Sequence, residues 1–252
     1  MNLKKHARGF MIAYPSANRI VRKIRSAGRD KPHDDFWFLR HLQAAEGTVL
    51  VDAGANVGQS VRALRGTLPD TPIHAFEPSA SAFAKLRDNT AGLPAVTLHQ
   101  TALFDVPGEM TIYTPAYDGR PMSPLSSLDY DSAAQWLTRF GGIFIDERKV
   151  TVRKETVAVA RLDDYGLAPS FIKIDVQGVA PRLLRGGEAT IAAHRPVLFV
   201  ERDPDDDIAE QLAPLSYRDY VLREGKLVPY AGQKDSIMVS TESTARLDLP
   251  LA

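Results

Sequence analysis

The chain has 252 residues, with 31 basic and 31 acidic side chains, a formal net charge of zero, no cysteine and 44% hydrophobic residues. That length and balance describe a globular protein with room for one large domain or two small ones, and they exclude a disordered or fibrous chain. Without cysteine there is no disulfide framework, no zinc–thiolate or iron–sulfur site and no thiol nucleophile, so stability rests on the core and a reducing cytoplasm suits the chain.

The zero charge is an average. Residues 1–31 hold nine basic residues against a single acid, Asp30, which leaves 22 basic and 30 acidic residues, a net charge of −8, for the rest. A basic arm, read as helical, therefore precedes an acidic body. Its expected partner is that body, a second subunit in a homo-oligomer, or a phosphate-bearing surface. No nucleic-acid motif accompanies it. The arm's longest apolar run, Phe10 to Tyr14, is far below the ~18 residues of a spanning helix and short for a secretion signal.

From Thr48 the pattern becomes regular. TVLVDAG (48–54) reads as a buried parallel strand, and Val57, Val61, Leu64 and Leu68 follow at helical spacing. PIHAFEP (72–78) reads as a second strand and leads into a helix that Ser79 or Ser81 can cap. VTLHQTALFD (96–105) reads as a third strand, and Pro107-Gly108 turns the chain into EMTIYTP (109–115) as its hairpin partner. Residues 116–148 interrupt the rhythm, with a helix expected around Ala133–Phe140, and an insertion of this length is expected to cover a substrate. Alternation resumes over 149–166. Two more apolar strands, FIKIDVQG (171–178) and PVLFVER (196–202), flank a helix from about Pro181 to Ala193, and YVLREGKLVPY (220–230) with DSIMVST (235–241) closes the chain as antiparallel edge strands. The alternation predicts an α/β fold, a doubly wound and mostly parallel sheet with an antiparallel C-terminal edge, as one domain over 32–252 behind the 1–31 arm.

Chemistry is concentrated in VDAGANVGQS (51–60). The strand ends at Asp52 and turns through Gly54, Ala55, Asn56 and Gly58 into a helix, where small residues admit a ligand and the helix start offers free N–H groups. Glu77 ends the second strand 25 positions after Asp52, at the spacing of a ribose-binding acid. The Gly54-x-x-x-Gly58 spacing lacks the close glycines of a pyrophosphate loop, and Asp52 would repel phosphate. A nucleoside with a cationic amine and no phosphate fits better, and S-adenosylmethionine answers that description. His74 and His99 read as structural, and Glu201 as a strand-end carboxylate near the same edge. No residues show the spacing of a metal site.

In chain order, VDAGANVGQS, FEPS (76–79), ALFD before Pro107-Gly108-Glu109, the serine pair 126–127, RLDDY (161–165), FIKIDVQG and LLRGG (183–187) resemble the FkbM-type methyltransferases over about residues 36–202. The resemblance implies a seven-stranded Rossmann-like sheet and methyl transfer from S-adenosylmethionine to a hydroxyl of a sugar, glycan or polyketide-type small molecule. It implies cofactor contacts at Asp52, Gly54, Asn56, Gly58 and Glu77, with Thr101 and Ala102 near the adenine. It also sets Asp175 beside the transferred methyl, where a carboxylate can orient the acceptor or take its proton. The family's usual glutamate is Ala180 here, which thins any carboxylate cluster on that turn and weakens a magnesium-assisted mechanism. The alternatives are an NAD-linked oxidoreductase on a similar sheet, or a nucleoside-binding module that has lost turnover.

Overall fold

A computed structural model describes residues 34–122, 126–141, 145–176, 178–203 and 206–250. The basic arm lies outside these residues, and with it the expected helix and any subunit contact. The chain divides into two compact units, one of residues 33–109 and 158–252 and another to which 110–157 belong.

In the larger unit, β1 (Val49–Ala53), β2 (Ile73–Phe76), β3 (Val96–His99), β8 (Pro169–Ile174), β9 (Val197–Glu201), β10 (Tyr217–Arg223), β11 (Lys226–Pro229) and β12 (Asp235–Ser240) form one sheet in the order β11-β10-β12-β9-β8-β1-β2-β3. The β3 to β9 strands pair in parallel, and β12, β10 and β11 add an antiparallel edge. This is the mostly parallel sheet with an antiparallel edge that the alternation predicted, in the Rossmann-like arrangement that the resemblance implied. Strand order reverses between β1 and β8, and in open sheets the ligand crevice opens at the carboxyl end of that switch point.

The sheet holds eight strands where seven were expected. Residues 220–230 read as one strand, but within the polar stretch REGK (223–226) Glu224 (φ 50°) and Gly225 (φ 76°) turn the chain left-handed and split the run into the β10–β11 hairpin. Residues 96–105 likewise divide, into β3 and the short β4 (Ala102–Leu103). β4 pairs in parallel with the end of β7 (Val150–Ala160), through Ala102–Val159 and Leu103–Ala160, so its neighbour is not the strand that follows the Pro107-Gly108 turn. That strand, β5 (Gly108–Tyr117), pairs with β6 (Arg120–Pro121) in the 110–157 unit, which also carries α3 (Tyr130–Gly141) around the expected helix.

Each face of the large sheet is covered. Leu50, Ile73, Phe171 and Val197 project toward Val61 and Leu64 of α1 (Gln59–Thr67), Leu86 of α2 (Ala80–Thr90) and Phe36, Phe38 and Leu39 of a 3-10 turn at Asp34–His41. Val51, Ala53, Ile172, Ile174, Leu198 and Val200 project the other way, toward Ala180, Leu183 and Leu184 of α4 (Ala180–Gly186), Ile191 of α5 (Glu188–His194) and Ile208 and Leu212 of α6 (Ile208–Leu212). Pro181 sits in the first turn of α4, where its missing N–H leaves no bond unmade. The single helix expected over 181–193 is two, because the chain leaves helical geometry at Gly187 (φ −119°, ψ 13°). A short α7 (Thr241–Thr244), capped by Ser240, follows the last strand.

Side-chain alternation on β1, β8 and β9 has a direct consequence for the site. Asp52, Lys173 and Asp175, with Glu201, fall on the same face as Leu50, Phe171 and Val197, at the carboxyl ends of adjacent strands.

Candidate functional site

Asp52 is fully buried, and both of its oxygens are engaged inside the protein. Ser60, in the first turn of α1, donates to Oδ2 at 2.5 Å, and Lys173 Nζ stands 3.1 Å from Oδ1. Register explains the second contact, since Asp52 of β1 and Lys173 of β8 are cross-strand partners. Lys173 also lies 3.4 Å from Asp175 Oδ2 and donates to the Gly54 carbonyl at 3.2 Å, so the ammonium stands between two carboxylates and a backbone carbonyl. Burial pushes this ammonium toward neutrality, but Asp52 and Asp175 outweigh it and hold its pKa above the ordinary lysine value. Lys173 was not among the residues singled out from the sequence. Its signal was there to read: one cation inside an otherwise apolar strand, FIKID, two positions from Asp175 and therefore on its face.

The turn after β1 is held by its own backbone. Gly54 and Ala55 both donate N–H bonds to the Phe76 carbonyl at 3.0 Å, and Gly58 donates to the Ala55 carbonyl at 2.8 Å. Gly54 has φ 81°, and a Cβ there would lie 1.9 Å from the Asp175 carbonyl oxygen. Gly58 has φ 87°, and a Cβ there would meet Leu86 Cδ1 at 2.9 Å and Thr90 Cγ2 at 3.0 Å. The space these glycines leave is filled by neighbouring protein, so they serve the approach of two strand-end loops and of α2.

Glu77, 8% exposed, stands just past β2. Its Oε2 accepts the Asn56 N–H and its Oε1 the Ser79 N–H, each at 2.9 Å. These two bonds fix the carboxylate plane and leave lone pairs on both oxygens. Asn56 holds a left-handed φ of 48°, and its Oδ1 is buried with no hydrogen-bond partner among the described residues. Burial pushes the Glu77 carboxyl up to about 7, the Ser79 and Asn56 N–H groups oppose it, and Asp52 adds a smaller upward push.

Thr101 and Ala102 follow β3, whose last residue, His99, accepts the Glu77 N–H at 3.0 Å. Thr101 is buried and hydrogen-bonds with the Tyr165 hydroxyl, and Ala102 starts β4. Beside them the rings of Phe76 and His99 stack at 4.4 Å, with Tyr165 edge-on to both at 4.9 and 5.0 Å. His99 Nε2 is 3.0 Å from His74 Nδ1, and burial holds both imidazoles below the ordinary histidine range. Asp175 follows β8, and its N–H donates to the Ala53 carbonyl at 3.1 Å. Ala180, 4% exposed, packs into the core under α4, so its methyl is a packing group.

Glu77 gives a pH dependence. Its raised pKa means that protons favour the folded state: the stability associated with it is present below about pH 4.5 and lost as pH rises through about 7. A ligand that donates hydroxyls to the ionised carboxylate reverses that loss. S-adenosylhomocysteine affinity is expected to rise about tenfold between pH 6 and 8, and Glu77→Gln to flatten the profile. Calorimetry at both pH values checks this, and an equal slope in the variant would assign the effect elsewhere.

A family model described as the methyltransferase FkbM domain matches residues 52–223. The 2-O-methyltransferase NoeI of Sinorhizobium fredii is 27% identical over 178 residues, 66% of this chain and 68% of that protein. The 31-O-demethyl-FK506 methyltransferase FkbM of Streptomyces tacrolimicus is 30% identical over 203 residues, 72% of this chain and 76% of that protein. The crystal structure of methyltransferase FkbM from Methylobacillus flagellatus matches with a TM-score of 0.50 at 18% identity, over 84% of this chain. The alignment takes in 48% of that longer chain, so this one spans about half its length.

Proposed function

From the chain's membership of the FkbM methyltransferase family, as an S-adenosylmethionine-dependent O-methyltransferase, we propose that it methylates a hydroxyl of a sugar, glycan or polyketide-type small molecule. The two relatives support an oxygen acceptor, one being a 2-O-methyltransferase and the other a methyltransferase of 31-O-demethyl-FK506.

The observation that carries the site assignment is the Glu77 carboxylate, pinned by the Asn56 and Ser79 N–H groups at the carboxyl end of β2, with the orphan Oδ1 on Asn56, the residue that supplies one of those donors. Both fit the cofactor. Glu77 offers two acceptors to a ribose diol, and Asn56 Oδ1 offers one to a hydroxyl or ammonium group. Thr101 and Ala102 take the adenine end beside the Phe76–His99–Tyr165 cluster. Gly54, Ala55 and Gly58 shape the loop. Asp52 acts at one remove, by holding Lys173 and the start of α1.

The cofactor supplies an electrophilic methyl group. The chain's own residues align the acceptor and manage its proton. Asp175 is the group we assign to that task, since Lys173 and the Ala53 carbonyl fix its place at the end of β8. Residues 116–148 are assigned to acceptor recognition on their length and position in the chain. No helix of the described residues is long and apolar enough to cross a membrane, and the absence of cysteine suits a reducing cytoplasm.

A labelled-methyl assay tests the reading, with methyl glycosides, cyclohexane-1,2-diol and a hydroxylated macrolide as probes. Transfer to at least one is expected, with the label recovered as a methyl ether. Trimming 119–148 is expected to change which probes react. Binding of NAD with no binding of S-adenosylhomocysteine would overturn the reading.

A further inference from the structure

Glu201 is the ionisable group beside Asp175 that the proposed chemistry leaves without a task. β8 and β9 run parallel with Ile174 beside Val200, so the next residues along, Asp175 and Glu201, stand side by side at the sheet edge. Each carboxyl is thereby exposed to the other's charge. Two carboxyls that close share a proton or need cations nearby. Cations flank this pair on both sides. Lys234 Nζ is 2.6 Å from Glu201 Oε1, and Lys173 Nζ is 3.4 Å from Asp175 Oδ2. The charged groups facing the pair are therefore Lys173 of β8, Asp52 of β1, and Lys234 with Asp235 at the start of β12. The next residue, Arg202, is committed to Asp206 and Asp219.

Resting on the assignment of Asp175 to the acceptor, we infer that Asp175 and Glu201 form one proton-accepting unit, which takes the acceptor's hydroxyl proton at Asp175, shares it, and releases it to water from Glu201. The electron pair of the O–H bond stays on the acceptor oxygen. One proton enters the pair and one leaves it per turnover.

The physical gain is in basicity. A lone carboxylate is a weak base at neutral pH, whereas two adjacent carboxylates hold their first proton more tightly. Burial, and Asp175 beside it, hold the Glu201 carboxyl above the ordinary glutamate range against the pull of Lys234. The two lysines keep the fully ionised pair accessible, and it is that form which accepts a proton. The Glu201 side chain is 21% exposed and that of Lys234 70%, which gives the proton a route to solvent.

Two measurements on the full chain test this. In the first, carboxyl-13C NMR of labelled glutamate is followed against pH with S-adenosylhomocysteine bound. Glu201 is expected to titrate above an ordinary glutamate, and Asp175→Asn to return it by about one pH unit or more. In the second, kcat is measured against pH at saturating cofactor, with whichever methyl glycoside or cyclohexane-1,2-diol reacts fastest. Glu201→Gln is expected to lower the plateau about tenfold and move the acid limb to lower pH, while Lys234→Gln moves the limb upward. A Glu201→Gln curve superimposable on the parent's would overturn the shared unit, as would a Glu201 resonance indifferent to Asp175→Asn. Loss of turnover in Asp175→Asn beside an unchanged Glu201→Gln would leave Asp175 acting alone. Full turnover in Asp175→Asn would remove the assignment on which the pair rests.

Discussion

Lys173→Met is expected to destabilise the protein by about 3–5 kcal/mol, because it leaves the fully buried Asp52 carboxylate without its cation. Against a typical total of about 5–15 kcal/mol that is a large share. Ser60 would remain on one Asp52 oxygen, and a single neutral hydrogen bond does not replace a buried ion pair. The Gly54 carbonyl would lose its side-chain donor and Asp175 the ammonium beside it, so cofactor affinity should fall together with stability. Urea unfolding of the parent, Lys173→Met, Asp52→Asn and the double variant separates the contributions. The double variant is expected to recover much of the loss, since it removes the stranded charge. A Lys173→Met penalty below about 1 kcal/mol, the range of exposed pairs, would mean that Asp52 does not depend on Lys173.

Gly54→Ala should be comparably damaging for a steric reason. The new methyl would sit 1.9 Å from the Asp175 carbonyl oxygen, a backbone atom that cannot swing aside, at a φ of 81° that costs an alanine about 1–2 kcal/mol by itself. Relief requires the loops after β1 and β8 to part. These loops carry Asn56 and Asp175, so S-adenosylhomocysteine affinity is expected to drop about 100-fold or more even where the chain still folds. Gly178→Ala is the matched control. It has a similar φ of 80° with nothing among the described residues within 4 Å of the added methyl, so it should show the backbone strain without the separation of the loops. Thermal melts and calorimetry on the two variants report both quantities. Equal effects would show that backbone conformation, and not the approach to Asp175, is what Gly54 supplies.

The local half of this architecture was legible from residues near one another in the chain. An apolar run ending in DAGANVG requires a turn into a helix, and the interval from Asp52 to Glu77 matches one strand–helix–strand unit. Pro181 marked the start of α4 for an equally local reason. Readings failed where the deciding interaction was not visible in the alternation. Residues 220–230 read as one strand, and the hairpin is set by two left-handed residues, Glu224 and Gly225, inside the polar stretch 223–226. β4 left its neighbours to pair with β7, which is a tertiary choice. Lys173 belongs to the same class. It meets Asp52 across 121 positions of sequence only once strand order places β8 beside β1.

Strand order also changes what two recognised residues mean. Asp52 looked like a ligand for a cationic cofactor, and the fold gives both of its oxygens internal partners. Ala180 looked like a gap in a carboxylate cluster. Yet Asp175, on the opposite face of the sheet from Ala180, gains a neighbouring carboxylate from Glu201, which local sequence could place at the edge of the sheet but not beside Asp175.

The role of Glu77 in holding the cofactor is tested by calorimetric titration of S-adenosylhomocysteine into the parent and into Glu77→Ala at pH 8, where Glu77 is mostly ionised. Binding by the parent and about a 100-fold loss in the variant are expected, the size that follows when two charge-assisted hydrogen bonds to a ligand are removed. An affinity unchanged by Glu77→Ala, in a variant that melts like the parent, would contradict that role.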